Sequence, residues 1–111
     1  MKHKVEEIKE FLARLSKEMP EQMEGFTKFL VATAKPGALD TKQKELTNVA
    51  LSIALQCESC IVYHVKEAID AGATREEILE SAFQAVLMHG GPALMYMMPL
   101  EKAINDFTKK S

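Results

Sequence analysis

The sequence has no run of 18 or more apolar residues, no tryptophan, only two cysteines, and no large excess of either charge, the formal net being −2. Without a long apolar run, no membrane-spanning helix is expected. The opening "MKHKVEEIKE" is charged and amphipathic and lacks the apolar centre of a secretory signal, so a cytoplasmic protein is expected. Acidic and basic residues are interspersed, and the only basic run is Lys109 and Lys110, which leaves no electrostatic footprint for nucleic acid. A chain of 111 residues has the usual size of one domain, taken here as residues 1–111. At that size roughly 65% of the unfolded surface is buried on folding, enough to fold without disulfide staples. The two cysteines are therefore available for chemistry. In a reducing compartment a C-x-x-C pair is more often catalytic or metal-binding than structural.

Alternating strand patterns and sequence repeats are also missing, and every long patterned segment has the period of a helix. Val5, Ile8, Phe11, Leu12, Leu15 and Met19 form a first stripe, and Phe26, Phe29 and Leu30 a second after Pro20, a residue suited to a first helical position. "KPGALD" breaks the pattern, and Asp40 with Gln43 makes a capping box for a third helix bearing Leu46, Val49, Ala50 and Ile53. "CESC" interrupts that helix near Cys57. A fourth helix carries Ile61, Val62, Val65, Ala68 and Ile69 and stops at Gly72. Thr74 and Glu77 cap a fifth, with Ile78, Leu79, Ala82, Phe83, Val86 and Leu87. "HGGP" ends it, Pro92 can open a sixth, and Pro99 should kink or divide that last helix. The expected fold is all-α, a compact bundle of about six helices. Residues 93 to 98, "ALMYMM", are apolar around most of the helix, which fits either a face that meets another subunit or a central core helix.

Chemistry concentrates in "LQCESCIVYH". On a helix starting near Cys57, a step of about 100° per residue puts Cys57 and His64 within about 60° of Cys60, at the edge of the apolar stripe. A partly accessible thiol beside a helix N-terminus and a histidine can be held as the reactive thiolate. The C-x-x-C spacing also lets the two sulfurs close a disulfide with modest movement. Two other readings compete. Cys57, Cys60 and His64 could be three zinc ligands, although closed zinc sites use four and there is no second C-x-x-C; or the thiols could be small packing residues in a non-enzymatic scaffold.

Glu45, eleven residues, Cys57-x-x-Cys60, three residues and His64 together resemble the active-site signature of the AhpD-like alkylhydroperoxidases within the carboxymuconolactone decarboxylase family. The resemblance runs from about residue 38 to 98 and includes "DAGATREEILESAFQAV" and "HGGPALM". It implies a helical subunit in a homotrimer or homohexamer and a peroxiredoxin-type thiol oxidoreductase. The substrate would be a hydroperoxide or a protein disulfide. It makes Cys60 the thiolate that attacks peroxide, Cys57 its resolving partner, and His64 part of a proton relay ending at Glu45. Ser59 stands where well-known members often have a second histidine, so the relay is shorter here. Decarboxylase members of the wider family lack the cysteine pair, which makes lactone decarboxylation the lesser branch. No nucleotide motif, flavin signature or lipoyl domain is present, so no cofactor is expected and electrons must come from an external thiol reductant.

Helix geometry sets conditions on these roles. If the third helix is continuous to Cys57, Glu45 lies about 18 Å back along the axis and cannot reach the thiols unless the fourth helix folds back beside the third or a neighbouring subunit intervenes. From pattern alone Glu45 is a solvated carboxylate near a helix N-terminus. Glu67, three positions after His64 and about 20° from Cys60, is the local competitor for orienting His64. Tyr63, about 60° from Cys60, could line a pocket or simply pack. His89 is either a second pocket residue or a histidine favoured at a helix C-terminus, and His3 is expected to be solvated. The seven methionines read as adaptable packing rather than a copper site.

Overall fold

The structure, a computed structural model, describes residues 2–108. Seven helices make up the described chain: α1 (Lys2–Glu18), α2 (Pro20–Ala34), α3 (Thr41–Ala54), α4 (Glu58–Asp70), α5 (Arg75–His89), α6 (Gly91–Met95) and α7 (Met97–Thr108). The all-α expectation holds, and the count differs because the last expected helix is in two pieces. Pro99 has no N–H to give the Met95 carbonyl and its ring would clash there, so the helix breaks one turn earlier, at Tyr96. The Lys109–Lys110 run lies outside the described residues.

The core is made by α3 to α7. Val49 and Ile53 of α3, Ile61, Val65 and Ala68 of α4, and Ile78, Ala82 and Ala85 of α5 meet Ala93 of α6 and Leu100, Ala103 and Ile104 of α7. Each larger aliphatic side chain buried there contributes about 1.5–3 kcal/mol. Both expected capping boxes are formed: the Gln43 N–H donates to Asp40 Oδ1 at 2.7 Å, and the Asp40 N–H to Gln43 Oε1 at 2.9 Å. Thr74 and Glu77 repeat the exchange at 3.1 and 2.9 Å. Lys42 and Glu77 join α3 to α5 at 2.8 Å, and Ser81 Oγ donates to the Leu46 carbonyl at 2.6 Å, fixing the rotation of α3.

The first two helices form where the stripes predict but bury little. Val5 is their one buried side chain among the described residues; Phe11, Phe26 and Phe29 are more than half exposed. α1 packs on α4, and α2 packs chiefly on α1. On α5 the stripe is likewise narrower than the sequence suggests, since Phe83, Leu87 and Met88 face outward. "ALMYMM" is not a central core helix: Ala93 is buried, while Leu94, Met95 and Met98 are exposed.

Two helices end in the same hydrogen-bonded turn. After α4, the Gly72 N–H donates to the Ile69 carbonyl and the Ala73 N–H to Ala68, with Gly72 at φ +93°. After α3, Gln56 N–H donates to Ile53 and Cys57 N–H to Ser52, both at 3.1 Å, with Gln56 at φ +55°. This is the Schellman pattern, which normally places glycine in the left-handed position. A side chain there costs on the order of 1 kcal/mol. Gln56→Gly is expected to raise stability by about 0.5–1 kcal/mol, read as a higher urea midpoint at unchanged m-value. A lower midpoint would mean that the Gln56 side chain stabilises this turn in some other way.

Candidate active site

Cys57 belongs to two helices at once. Its N–H closes α3, its carbonyl accepts from the Ile61 N–H at 2.9 Å, and its Sγ accepts from the Cys60 N–H at 3.2 Å as the N-cap of α4. That junction turns α4 back alongside α3. Cys57 and Cys60 are joined as a disulfide with their Cα atoms 5.2 Å apart, both half-buried. The expected convergence of the two sulfurs is thus present, at a helix N-terminus whose partial positive charge favours thiolate.

The fold-back also solves the distance problem posed by Glu45. With α3 and α4 side by side, His64 Nδ1 lies 2.8 Å from Glu45 Oε1, a direct hydrogen bond that needs no neighbouring subunit. Glu45 is 8% exposed, so it is not the solvated carboxylate that pattern alone gives. Asn48, one turn on, donates to the same oxygen at 3.2 Å. Burial by itself pushes the Glu45 pKa up. The hydrogen bonds from His64 and Asn48, with the attraction of His64, outweigh it and hold the carboxyl below its ordinary range. An ionised Glu45 accepts this hydrogen bond from the Nδ1–H of His64, which leaves Nε2 as the ring nitrogen turned to other partners. Sequence reasoning did not find Asn48, although its i, i+3 spacing from Glu45 is the signal.

A cleft of about 660 Å³ opens over this face of α4. Ser59, Cys60, Tyr63 and His64 form one wall, and Ile8, Phe11 and Leu12 of α1 with Phe26 and Leu30 of α2 form the other. Lys4, Glu7, Glu10 and Arg14 lie along the α1 side. Cys60 faces the cleft; Cys57 is not among its lining residues. The apolar wall explains the stripes of the first two helices, to which sequence reasoning gave no role.

The remaining candidates separate. No hydrogen bond joins Glu67 to His64 among the described residues, and the His64 Nδ1 contact goes to Glu45 instead. Tyr63 lines the cleft and stacks edge-on to His64, ring centroids 5.1 Å apart. His89 ends α5, exposed and away from the cleft, and His3 is exposed on α1. No group of three or more His, Cys, Asp or Glu residues among the described residues has the geometry to hold a metal, and the two sulfurs are bonded to each other. No helix among the described residues is long and apolar enough to cross a membrane.

The model of the carboxymuconolactone decarboxylase family matches residues 20–102. The chain belongs to that family. The match begins with α2, earlier than the motif resemblance does. A carboxymuconolactone decarboxylase family protein from Legionella pneumophila, crystallised in its apo form, is 45% identical with a TM-score of 0.93, over 97% of this chain and 96% of that one. A Thermotoga maritima family protein, for which a part in an antioxidative response has been suggested, is 28% identical with a TM-score of 0.84, over 94% and 88% of the two chains. An uncharacterised Cupriavidus necator protein is 32% identical over 96 residues, 86% of this chain and 85% of that one. The family fold and these neighbours agree with an AhpD-like member.

The Glu45 pair makes a stability prediction. Because the folded-state pKa is below the unfolded one, its stabilisation is complete above the unfolded value and is lost as pH falls through the folded value. Glu45→Gln should remove that component, so urea midpoints of parent and variant should differ at neutral pH and converge below the ordinary carboxylate range. Parallel curves across the whole range would show that Glu45 is not held low by its partners.

Proposed function

We propose that this protein is a thiol-dependent peroxidase whose Cys57–Cys60 pair cycles between dithiol and disulfide. The observation that carries the reading is Cys60 facing a cleft beside His64, with His64 hydrogen-bonded to the buried Glu45. In the reduced enzyme, His64 Nε2 accepts the Cys60 thiol proton, and Glu45 stabilises the imidazolium by keeping Nδ1 in hydrogen bond. The Cys60 thiolate attacks the terminal peroxide oxygen; the O–O bond breaks, Cys60 becomes a sulfenic acid, and the alkoxide leaves and takes up a proton to become the alcohol. Cys57 then attacks that sulfur, expelling water and forming the disulfide. An external thiol reductant returns both sulfurs to thiols, entering at Cys57, the sulfur outside the cleft. The same chemistry with a protein disulfide in place of peroxide is thiol–disulfide exchange.

The apolar wall formed by Phe11, Leu12, Phe26 and Leu30 supports an organic hydroperoxide over hydrogen peroxide, since each buried methylene adds about 0.8 kcal/mol. The antioxidative suggestion for the Thermotoga maritima relative supports a peroxide-consuming role, without distinguishing one peroxide from another. A peroxidase whose disulfide is returned to dithiol by an external thiol reductant suits a reducing compartment, which supports a cytoplasmic location.

The reduced parent should lose two thiols per chain on a stoichiometric dose of cumene hydroperoxide, with no metal in the sample. Cys60→Ser should abolish the loss, and Cys57→Ser should leave one rapid oxidation trapped as sulfenic acid. Thiols that resist peroxide in a protein carrying one zinc per chain would establish the metal-binding alternative. Sulfenic acid formed on Cys57 of Cys60→Ser at the parental rate would reverse the roles. Glu45→Gln should slow oxidation by about 10²–10⁴ at neutral pH, with the deficit shrinking as rising pH forms the thiolate unaided. Glu67→Gln should behave as the parent.

The exposed apolar side chains of α2, α5 and α6, among them Phe29, Val31, Leu87, Met88 and Met95, support a homotrimer or homohexamer. Sedimentation at micromolar concentration should give one of the two masses, and a monodisperse monomer would remove this assignment.

A further inference from the structure

Breaking the O–O bond leaves an alkoxide, a far stronger base than the thiolate that displaced it. A proton supplied as the bond breaks lowers the barrier. The step described above gives His64 the proton from Cys60 but names no donor for the departing oxygen. Tyr63 has the required position. Helical side chains lean toward the N-terminus, so a residue three positions after Cys60 lies over the turn that carries the sulfur. The Tyr63 ring stands edge-on to His64 at 82°, and both line the cleft with Cys60. Its hydroxyl makes no hydrogen bond to another described residue and is not a buried orphan, so it is free to donate into the cleft.

Protonated His64 is the competing donor, and were it the acid, Tyr63→Phe would match its parent on a hydroperoxide; the remaining donors on these walls fit less well. Ser59 is one residue before Cys60 and so points about 100° away around the helix. Lys4 is turned toward Glu7 at 3.8 Å, and Arg14 stands on the far wall. Burial, reinforced by the carboxylates of Glu67 and Glu45, raises the Tyr63 pKa, which keeps the phenol protonated through neutral pH.

We infer that Tyr63 is a second catalytic residue, the general acid that protonates the alcohol leaving group when Cys60 attacks a hydroperoxide. The inference rests on the thiol-peroxidase reading. The balance is simple: Cys60 thiolate, hydroperoxide and phenol give Cys60 sulfenic acid, alcohol and phenolate. The S–O bond forms as the O–O bond breaks, sulfur is oxidised and the peroxide reduced. The phenolate recovers its proton from solvent through the open cleft, and the proton first lost by Cys60 leaves from His64.

The test uses Cys57→Ser protein, in which Cys60 is the only thiol, with and without Tyr63→Phe, which keeps the ring and its contact with His64. Single-turnover oxidation by cumene hydroperoxide should slow by roughly 10²-fold in the Phe variant. Oxidation by peracetic acid, whose acetate leaving group needs no proton, should change less than threefold. Alkylation of Cys60 by iodoacetamide should also stay at the parental rate, because thiolate formation does not use Tyr63. An equal loss with all three reagents would make Tyr63 a packing partner of His64 and overturn the inference, as would a Phe variant matching its parent on cumene hydroperoxide. If Cys57→Ser protein with Tyr63 intact reacts with iodoacetamide but with neither oxidant, the peroxidase reading falls and this inference falls with it.

Discussion

Cys57 closes α3 with its N–H and opens α4 with its sulfur, so two helix ends, each with backbone groups that must find partners, are satisfied at one residue. The turn needs only Leu55 and Gln56 besides, with Gln56 in the left-handed region. From this follows the reversal that lays α4 along α3. Residues nineteen apart in sequence then meet as Glu45 and His64. The clamps from α5, Lys42 with Glu77 and Ser81 with the Leu46 carbonyl, hold α3 at the rotation that turns Glu45 inward.

Placing a carboxylate inside so small a core is unfavourable by itself. Here the same two partners that offset the desolvation also define the imidazole: Asn48 and His64 both address Oε1, and the carboxylate in turn fixes which ring nitrogen carries hydrogen. Stability and the orientation of the imidazole therefore rest on one hydrogen bond, and a substitution at either end changes both.

Much of this was legible in the chain. Capping residues at Asp40 and Thr74, Gly72, and the stripes of α4 gave the helices and their ends, because those signals depend on neighbours a few residues away. The closeness of Cys57 and Cys60, and the shared face of Cys60 and His64, followed from helix pitch alone. The burial of Glu45 did not, since it depends on the direction in which α4 leaves the turn, and no local signal sets that direction. The resemblance, rather than pattern, named Glu45. Phe11 and Phe26 misled in the opposite way: a stripe reports that a helix has an apolar side, and here that side lines an open cleft instead of the core. Pro99 announced a break but not its place, which the clash with the Met95 carbonyl moved to Tyr96.

The cleft has one wall from α4 and the other from α1 and α2, and these two walls come from parts of the chain with different structural duties. The α4 side belongs to a helix whose opposite face is core, and it is tied by the disulfide and the Glu45 hydrogen bond, so its backbone and its Glu45–His64 pair are fixed by the fold. Among the described residues the opposite side contributes a single buried one, Val5, and could exchange its phenylalanines and leucines at little cost in stability. Such a division makes the chain easy to diversify: descendants can inherit the pair of sulfurs intact while the shape and greasiness of what they meet are rewritten one exposed side chain at a time.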